Sequence, residues 1–151
     1  MVAYQISIFA ENKPGKLAAV TSVLAKAKVS IRATTIATAD TFGVINLIVD
    51  DPKRAETALT KAGMTVHLRP VLAVMIDDRP GGLDRLTQLL FKEKINIHNA
   101  YGFVLESREK AVFIVDVDQM DRTGELLEKN GFRTLDTEAL SAIEPFHYMK
   151  Y

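Results

Sequence analysis

One stretch of this chain occurs twice, and the repetition limits what it can fold into. Asn12-Lys13-Pro14-Gly15-Lys16-Leu17 returns 66 positions later as Asp78-Arg79-Pro80-Gly81-Gly82-Leu83. Over residues 14–33 and 80–99, eight of 20 aligned pairs are identical, among them Pro14/Pro80, Gly15/Gly81, Leu24/Leu90 and Lys28/Lys94. Further along the offset becomes 68, as Leu59/Leu127 and Gly63/Gly131 show, which places a two-residue insertion in the hairpin before Lys110. Surface turns are where a duplicated unit absorbs extra residues. A search for internal repeats comes before any assignment of fold, because a duplicated unit halves the problem.

Within each copy the hydrophobic period changes at the Pro-Gly pair. Residues 2–9 alternate with period two, the pattern of a strand with one buried face. Leu17, Val20 and Leu24 then recur at helical spacing, predicting a helix over about 15–26. The β-branched run Ser30–Thr38 reads as a second strand, Ala39-Asp40-Thr41 as a turn, and Phe42–Val49 as the hairpin partner. Asp51-Pro52 supplies a helix cap and first-turn proline, and Gly63 ends that helix before a short strand over 64–68. The same order follows from Val71. Strands are expected over 71–76, 96–104, 110–117 and 132–136, with helices after Pro80-Gly81 and after Asp118, whose side chain is expected to cap the second of them. Each half is therefore βαββαβ, the ferredoxin-like split unit, with two helices on one face of a four-stranded antiparallel sheet. The expected class is α+β, with units over 1–69 and 70–151, Arg69-Pro70 as the whole linker, and the two sheets side by side as one continuous sheet. Open sheet edges call for cover, and a homodimer is expected on that ground. The tail, with Leu140, Ile143, Phe146, Tyr148 and Tyr151, reads as a packing arm, or else as a flap or dimer contact.

Composition narrows the chemistry. The 151 residues contain no Cys, and 19 Lys and Arg balance 19 Asp and Glu. Disulfides, thiolate metal sites and a Cys nucleophile are thereby excluded, and a broad nucleic-acid footprint lacks its basic excess. The start, Met1-Val2-Ala3-Tyr4-Gln5, has no basic, apolar leader character, and no apolar run reaches 18 residues. A cytoplasmic protein without membrane attachment is expected. Asp77-Asp78 could suggest a carboxylate or metal pair, but no His pair stands at ligand spacing, so neither metal nor cofactor is expected. His67, His98 and His147 are scattered, and read as structural, with His98 close enough to Asn96 to touch a ligand there. Asn99 and Tyr101 share a strand face with Ile97 and line either a cleft or a sheet interface.

A Pro-Gly turn between strand and helix can be a simple joint. It also frees backbone N–H groups at the positive end of a helix dipole, which favours an anion such as a carboxylate. Asn-x-Pro-Gly-x-Leu at the first strand–helix turn of a βαββαβ unit, with Val29-Ser30-Ile31 and Ile95-Asn96-Ile97 opening the second strand, resembles the ACT domain. The resemblance covers about residues 2–68 and 71–137, and the absence of a catalytic domain makes the chain similar to stand-alone tandem ACT proteins. It implies a non-catalytic, allosteric sensor that binds a free amino acid between two units and regulates an amino-acid-metabolism enzyme or acts as a regulator. Carried over position by position, the ligand-binding residues would be Asn12, Gly15, Lys16, Leu17 and Ile31 in the first repeat, and Asp78, Gly81, Gly82, Leu83, Asn96 and Ile97 in the second. The turn amides would hold the carboxylate. Gly81-Gly82 offers the barest backbone and Asp78 a partner for the ammonium, so the second turn is the preferred site. Other readings of the topology stand beside this one: an acylphosphatase-type hydrolase, in which Arg79 would serve the phosphate, or the regulatory subunit of a biosynthetic enzyme. RNA binding would want aromatic and basic residues where Ile31, Ala33, Thr35 and Leu47 stand.

Overall fold

The structure, a computed structural model, describes residues 1–142. The described chain divides into two compact units, Tyr4–Arg69 and Met1–Ala3 together with residues 70–142. The first unit is built from β1 (Ala3–Glu11), α1 (Lys16–Lys26), β2 (Ile31–Ala39), β3 (Phe42–Val49) and α2 (Pro52–Lys61), and closes on the start of β4 (Thr65–Asp77). The second takes the rest of β4, then α3 (Gly82–Lys92), β5 (Ile97–Glu106), β6 (Lys110–Val117), α4 (Met120–Lys129), β7 (Thr134–Leu135) and the short α5 (Thr137–Ala142). Strand order is β2-β3-β1-β4 in the first unit and β5-β6-β4 with β7 beside β4 in the second, the same arrangement twice. The expected fourth and fifth strands are one 13-residue strand, so Arg69-Pro70 is not a linker. Both residues are exposed, and an exposed strand position is where a proline costs no buried ladder bond.

The register duplicates as well. Ile6 pairs with Leu47 on β1 and β3, and Leu72 with Val115 on β4 and β6. Each β2-type strand carries an irregularity after its first residue, between Ile31 and Ala33 and between Ile97 and Asn99. The helices lay their apolar stripes on one face. Val20, Leu24, Ala55 and Leu59 meet Ile6, Ile8, Ile45 and Leu47 in the first core. Leu86, Leu90 and Leu127 meet Leu72, Val74 and Val115 in the second. Each such Val, Leu or Ile side chain, fully buried, contributes about 1.5–3 kcal/mol.

Two further sequence expectations need correction. Asp118 does not cap α4: its Oδ1 accepts the Asn96 N–H at 3.1 Å, as Asp50 Oδ1 accepts the Ser30 N–H at 2.9 Å. The α4 N-cap is Gln119 at φ 53, with no side-chain cap, whereas Asp51 caps α2 through the Arg54 N–H. A carboxylate one residue too early is spent on tying a strand start to a strand end. The last strand shrinks to Thr134–Leu135, because Phe132 is buried in the core and the Asp136 carboxylate accepts the Ala139 N–H to start α5. Leu140 of the tail is buried, while Ile143, Phe146, Tyr148 and Tyr151 lie outside the described residues.

Candidate functional site

Both Pro-Gly turns deliver a glycine at the helix N-cap in the left-handed region, Gly15 at φ 89 and Gly81 at φ 91. A Cβ at either would meet nothing within 4 Å, so the backbone angle, not lack of room, requires glycine. Neither helix has a side-chain cap. The first helical bonds run from Ala19 N–H to Gly15 C=O and from Arg85 N–H to Gly81 C=O, which leaves the amides of Leu17 and Leu83 turned out of the helix start. The two starts differ in charge. The first turn of α3 contains Asp84, which opposes an incoming anion, while α1 has no acid there and begins with Lys16.

Asn12 and Asp78 do the same structural work. The Asn12 N–H donates to Thr41 C=O at 2.8 Å and its Nδ2 to Asp40 C=O at 3.1 Å. The Asp78 N–H donates to Glu109 C=O at 3.0 Å, and its Oδ2 accepts the Arg108 N–H at 2.7 Å. Both side chains pin the turn to the tip of the adjacent hairpin, so the Asp78 carboxylate is already engaged. Gly82 is needed for a different reason from Gly81. A Cβ there would sit 2.0 Å from the Asp77 carbonyl oxygen, so its bare backbone is filled by the chain itself.

The candidates do not all come together. Asn12, Lys16 and Leu17 line one crevice of ≈ 120 Å³ with Ile36, Thr38 and Ile45. Ile31 pairs with Val49, at the end of β2 away from this turn, where it packs against the core. From Ile31 to Thr38 a strand covers about 23 Å. Ile97 likewise packs against the second core, and Asn96 is held through its backbone by Asp118. Ile36 and Thr38 were missed by sequence reasoning, yet the antiparallel hairpin puts the late residues of β2 beside the late residues of β1. In the second unit the Phe113 ring lies against Gly102, where the first has Ile45 and Ile36. A Cβ on Gly102 would come within 2.9 Å of that ring.

A second kind of cavity occurs in both units, between the end of the first strand, the start of the first helix and the entrance to the last strand. It measures ≈ 420 Å³ in the first unit and ≈ 450 Å³ in the second. All nine residues lining the latter sit at the repeat equivalents of residues lining the former. The first is walled by Phe9, Phe42 and Met64, with His67 edge-on to Phe9 at 5.5 Å. The second holds Asp77, Arg85, Lys110 and Arg133. Arg85 Nη2 donates to Asn130 C=O at 2.9 Å, and its guanidinium stands 4.3 Å over the Phe132 ring. Lys110 Nζ donates to Asp77 Oδ1 at 2.8 Å, and this cation holds the carboxyl below the usual carboxylate range. Glu11, the equivalent acid, is held low in the same way by Lys13 at 2.7 Å. Elsewhere, burial and then the charge of Asp116 raise the Tyr101 hydroxyl well above its ordinary pKa. Among the described residues no three metal-ligating side chains cluster, and no helix is long and apolar enough to cross a membrane.

Two βαββαβ units, each opening its first helix with an uncapped Pro-Gly turn, define a duplicated ferredoxin-like fold. A family model described as an ACT domain pair matches residues 1–144, and the chain belongs to that family. It is similar to the crystal structure of protein BT0572 from Bacteroides thetaiotaomicron, 33% identical over 94% of this chain and 97% of that one, with a TM-score of 0.87. The fold is shared with the ligand-free regulatory subunit of aspartate kinase from Thermus thermophilus, 18% identical over 85% of this chain and 95% of that one, with a TM-score of 0.61. The corresponding subunit from Thermus flavus has 18% identity over 84% of this chain and 92% of that one, with a TM-score of 0.57. None of the curated proteins matches the chain.

Proposed function

We propose that this protein is a non-catalytic cytoplasmic sensor that binds a free amino acid at the first Pro-Gly turn and signals by a change in assembly or partner contact. The observation that carries the reading is the uncapped start of α1 beside the crevice lined by Asn12, Lys16 and Leu17. Its free amides and Lys16 favour the ligand carboxylate. Leu17 and Ile36, both exposed, offer apolar contact to the ligand side chain. The second turn is the weaker choice: Gly82 is packed on Asp77, Asp78 is engaged with Arg108, and Asp84 opposes an anion. Regulatory subunits of aspartate kinase share the fold, which supports a partner enzyme or regulator of amino-acid metabolism. The edge strands β2 and β5 fit a homodimer that completes the site across two copies.

Thermal-shift screening of the twenty amino acids tests the proposal. One class of amino acid is expected to raise the melting temperature, since a ligand at 100 times its Kd adds about 2.7 kcal/mol to the native state. Lys16→Glu is expected to remove the rise without altering the unliganded melting curve, because Lys16 is exposed. A flat screen combined with turnover of an acyl phosphate would transfer the protein to the hydrolase reading.

A further inference from the structure

The twin cavities share a backbone frame and differ in what lines it, and the difference has one direction. At three of the nine equivalent positions the second unit places a cation where the first has a neutral residue: Arg85 for Ala19, Lys110 for Phe42 and Arg133 for Thr65. At one it loses a cation, Gly82 for Lys16. The first cavity carries Glu11 and Lys16 and is formally neutral, while the second carries three cations against Asp77 alone, a formal +2.

We infer that the cavity of the second unit is a separate binding site for a small polyanion, a compound bearing two or more negative charges on phosphate or carboxylate groups. Its volume of ≈ 450 Å³ lies within the range of small-molecule sites. Asp77 is neutralised by Lys110, so it does not cancel the two guanidinium groups. Arg85 is held by the Asn130 carbonyl and the Phe132 ring, which fixes part of the site before any ligand arrives. Guanidinium forks match the paired oxygens of phosphate and carboxylate, which a lone ammonium does not. A solvated surface needs no convergence of three cations on one concavity, and the first repeat shows that the same frame folds without them. The cations are exposed, so binding is salt-dependent. The site is distinct from the crevice at the first turn, and the inference does not rest on the amino-acid reading.

The test is isothermal titration of the full chain with inorganic pyrophosphate and, separately, with citrate, at low and at 150 mM salt, with amide chemical shifts followed by NMR. Saturable binding is expected for at least one probe, weaker at the higher salt, with shift changes at Met75–Asp77, Lys110 and Arg133. Pyrophosphate alone assigns a phosphate compound, citrate alone a polycarboxylate, and both the shared chemistry. Arg133→Thr and Arg85→Ala install residues that the first repeat already accommodates, and each is expected to weaken binding roughly ten- to a hundredfold, the range of a lost charge-assisted hydrogen bond. Lys16→Gly in the other cavity is expected to leave it unchanged, and Lys16→Glu, which tests the amino-acid proposal, likewise. If Arg85→Ala loses its fold, Arg133→Thr decides, since the Arg133 carbonyl bond to the Met75 N–H survives the change. Unchanged affinity in Arg133→Thr, shifts that map to the Phe9–Phe42 cavity, or no saturable binding of either probe would overturn the inference.

Discussion

The two repeats are nearly the same object in their backbones and two different objects at their rims. Left-handed residues recur in register: Gly15 and Gly81, Lys28 and Lys94, Asp40 and Arg108, Gly63 and Gly131. So do small side-chain bonds, as Thr21 Oγ1 and Thr87 Oγ1 donate to the carbonyls of Ala18 and Asp84 at 3.1 Å each. Backbone geometry is cooperative and tolerates little change at a turn, so it is retained. Side chains facing a cavity or solvent answer only to what meets them. The apolar Phe9–Phe42–Met64 wall in one repeat and the cationic Arg85–Lys110–Arg133 wall in the other are the outcome of that freedom.

A third difference is hidden. Gln5, Ser7 and Asn46 are buried and bonded to one another, with Ser7 Oγ donating to Asn46 Oδ1 at 2.8 Å and Gln5 Nε2 donating to both. Their equivalents Val71, Ala73 and Ile114 are buried and apolar. The same strand positions thus accept either a satisfied polar trio or an apolar one.

The comparison is open to attack at several strengths. The largest effect should come from Leu24→Ala and Leu90→Ala, each costing about 2–5 kcal/mol in denaturant unfolding, with faster amide exchange mainly in the repeat that carries the change. Equal exchange in both repeats would deny them separate cores. Next, Gly82→Lys should cost about 1–3 kcal/mol through collision with the Asp77 carbonyl, whereas Lys16→Gly should cost at most about 1 kcal/mol. Equal losses would mean that this glycine is free and not packed. Asn46→Ile should cost about 1–3 kcal/mol by taking the acceptor from the Ser7 hydroxyl and one of the acceptors from Gln5 Nε2, and the triple change to Val, Ala and Ile, the set found in the second repeat, should recover most of it. A triple variant less stable than the single one would show that the trio is specifically required.

The smallest effect is electrostatic. Glu11 and Asp77 both have lowered carboxyl pKa values, through Lys13 and Lys110 respectively. A carboxyl lowered in the folded state adds stability that is complete above its unfolded value, about 4, and is lost as pH falls through the folded one. Lys13→Ala should raise the Glu11 midpoint and spare Asp77, and Lys110→Ala should do the reverse, in carboxyl-carbon NMR titrations. Cross-effects between the two would contradict separate ion pairs.

Much of this was legible before any coordinates. The switch from period two to helical spacing at each Pro-Gly pair, the Asp51-Pro52 cap and the exact bounds of the Phe42–Val49 strand follow from local patterns. Local pattern is silent where a residue's role depends on a distant partner. Asp118 sits where a cap could be, but the Asn96 amide claims it. Asp78, carried over as a ligand group, also accepts the amide of Arg108 on the neighbouring hairpin. Ile31 belongs to the family's pattern, but the strand carries it away from the turn.

By itself the sequence determined that there are two units, the order of their elements and the glycines that open their helices, because periodicity, capping and left-handed turns are properties of a few neighbouring residues. Only the tertiary structure decided which partners the candidate groups take within the fold, and that one copy of a shared cavity is apolar and the other cationic. Residues 19, 42 and 65, like 85, 110 and 133, are far apart along the chain, and nothing but folding brings their charges, or the absence of charge, to one place.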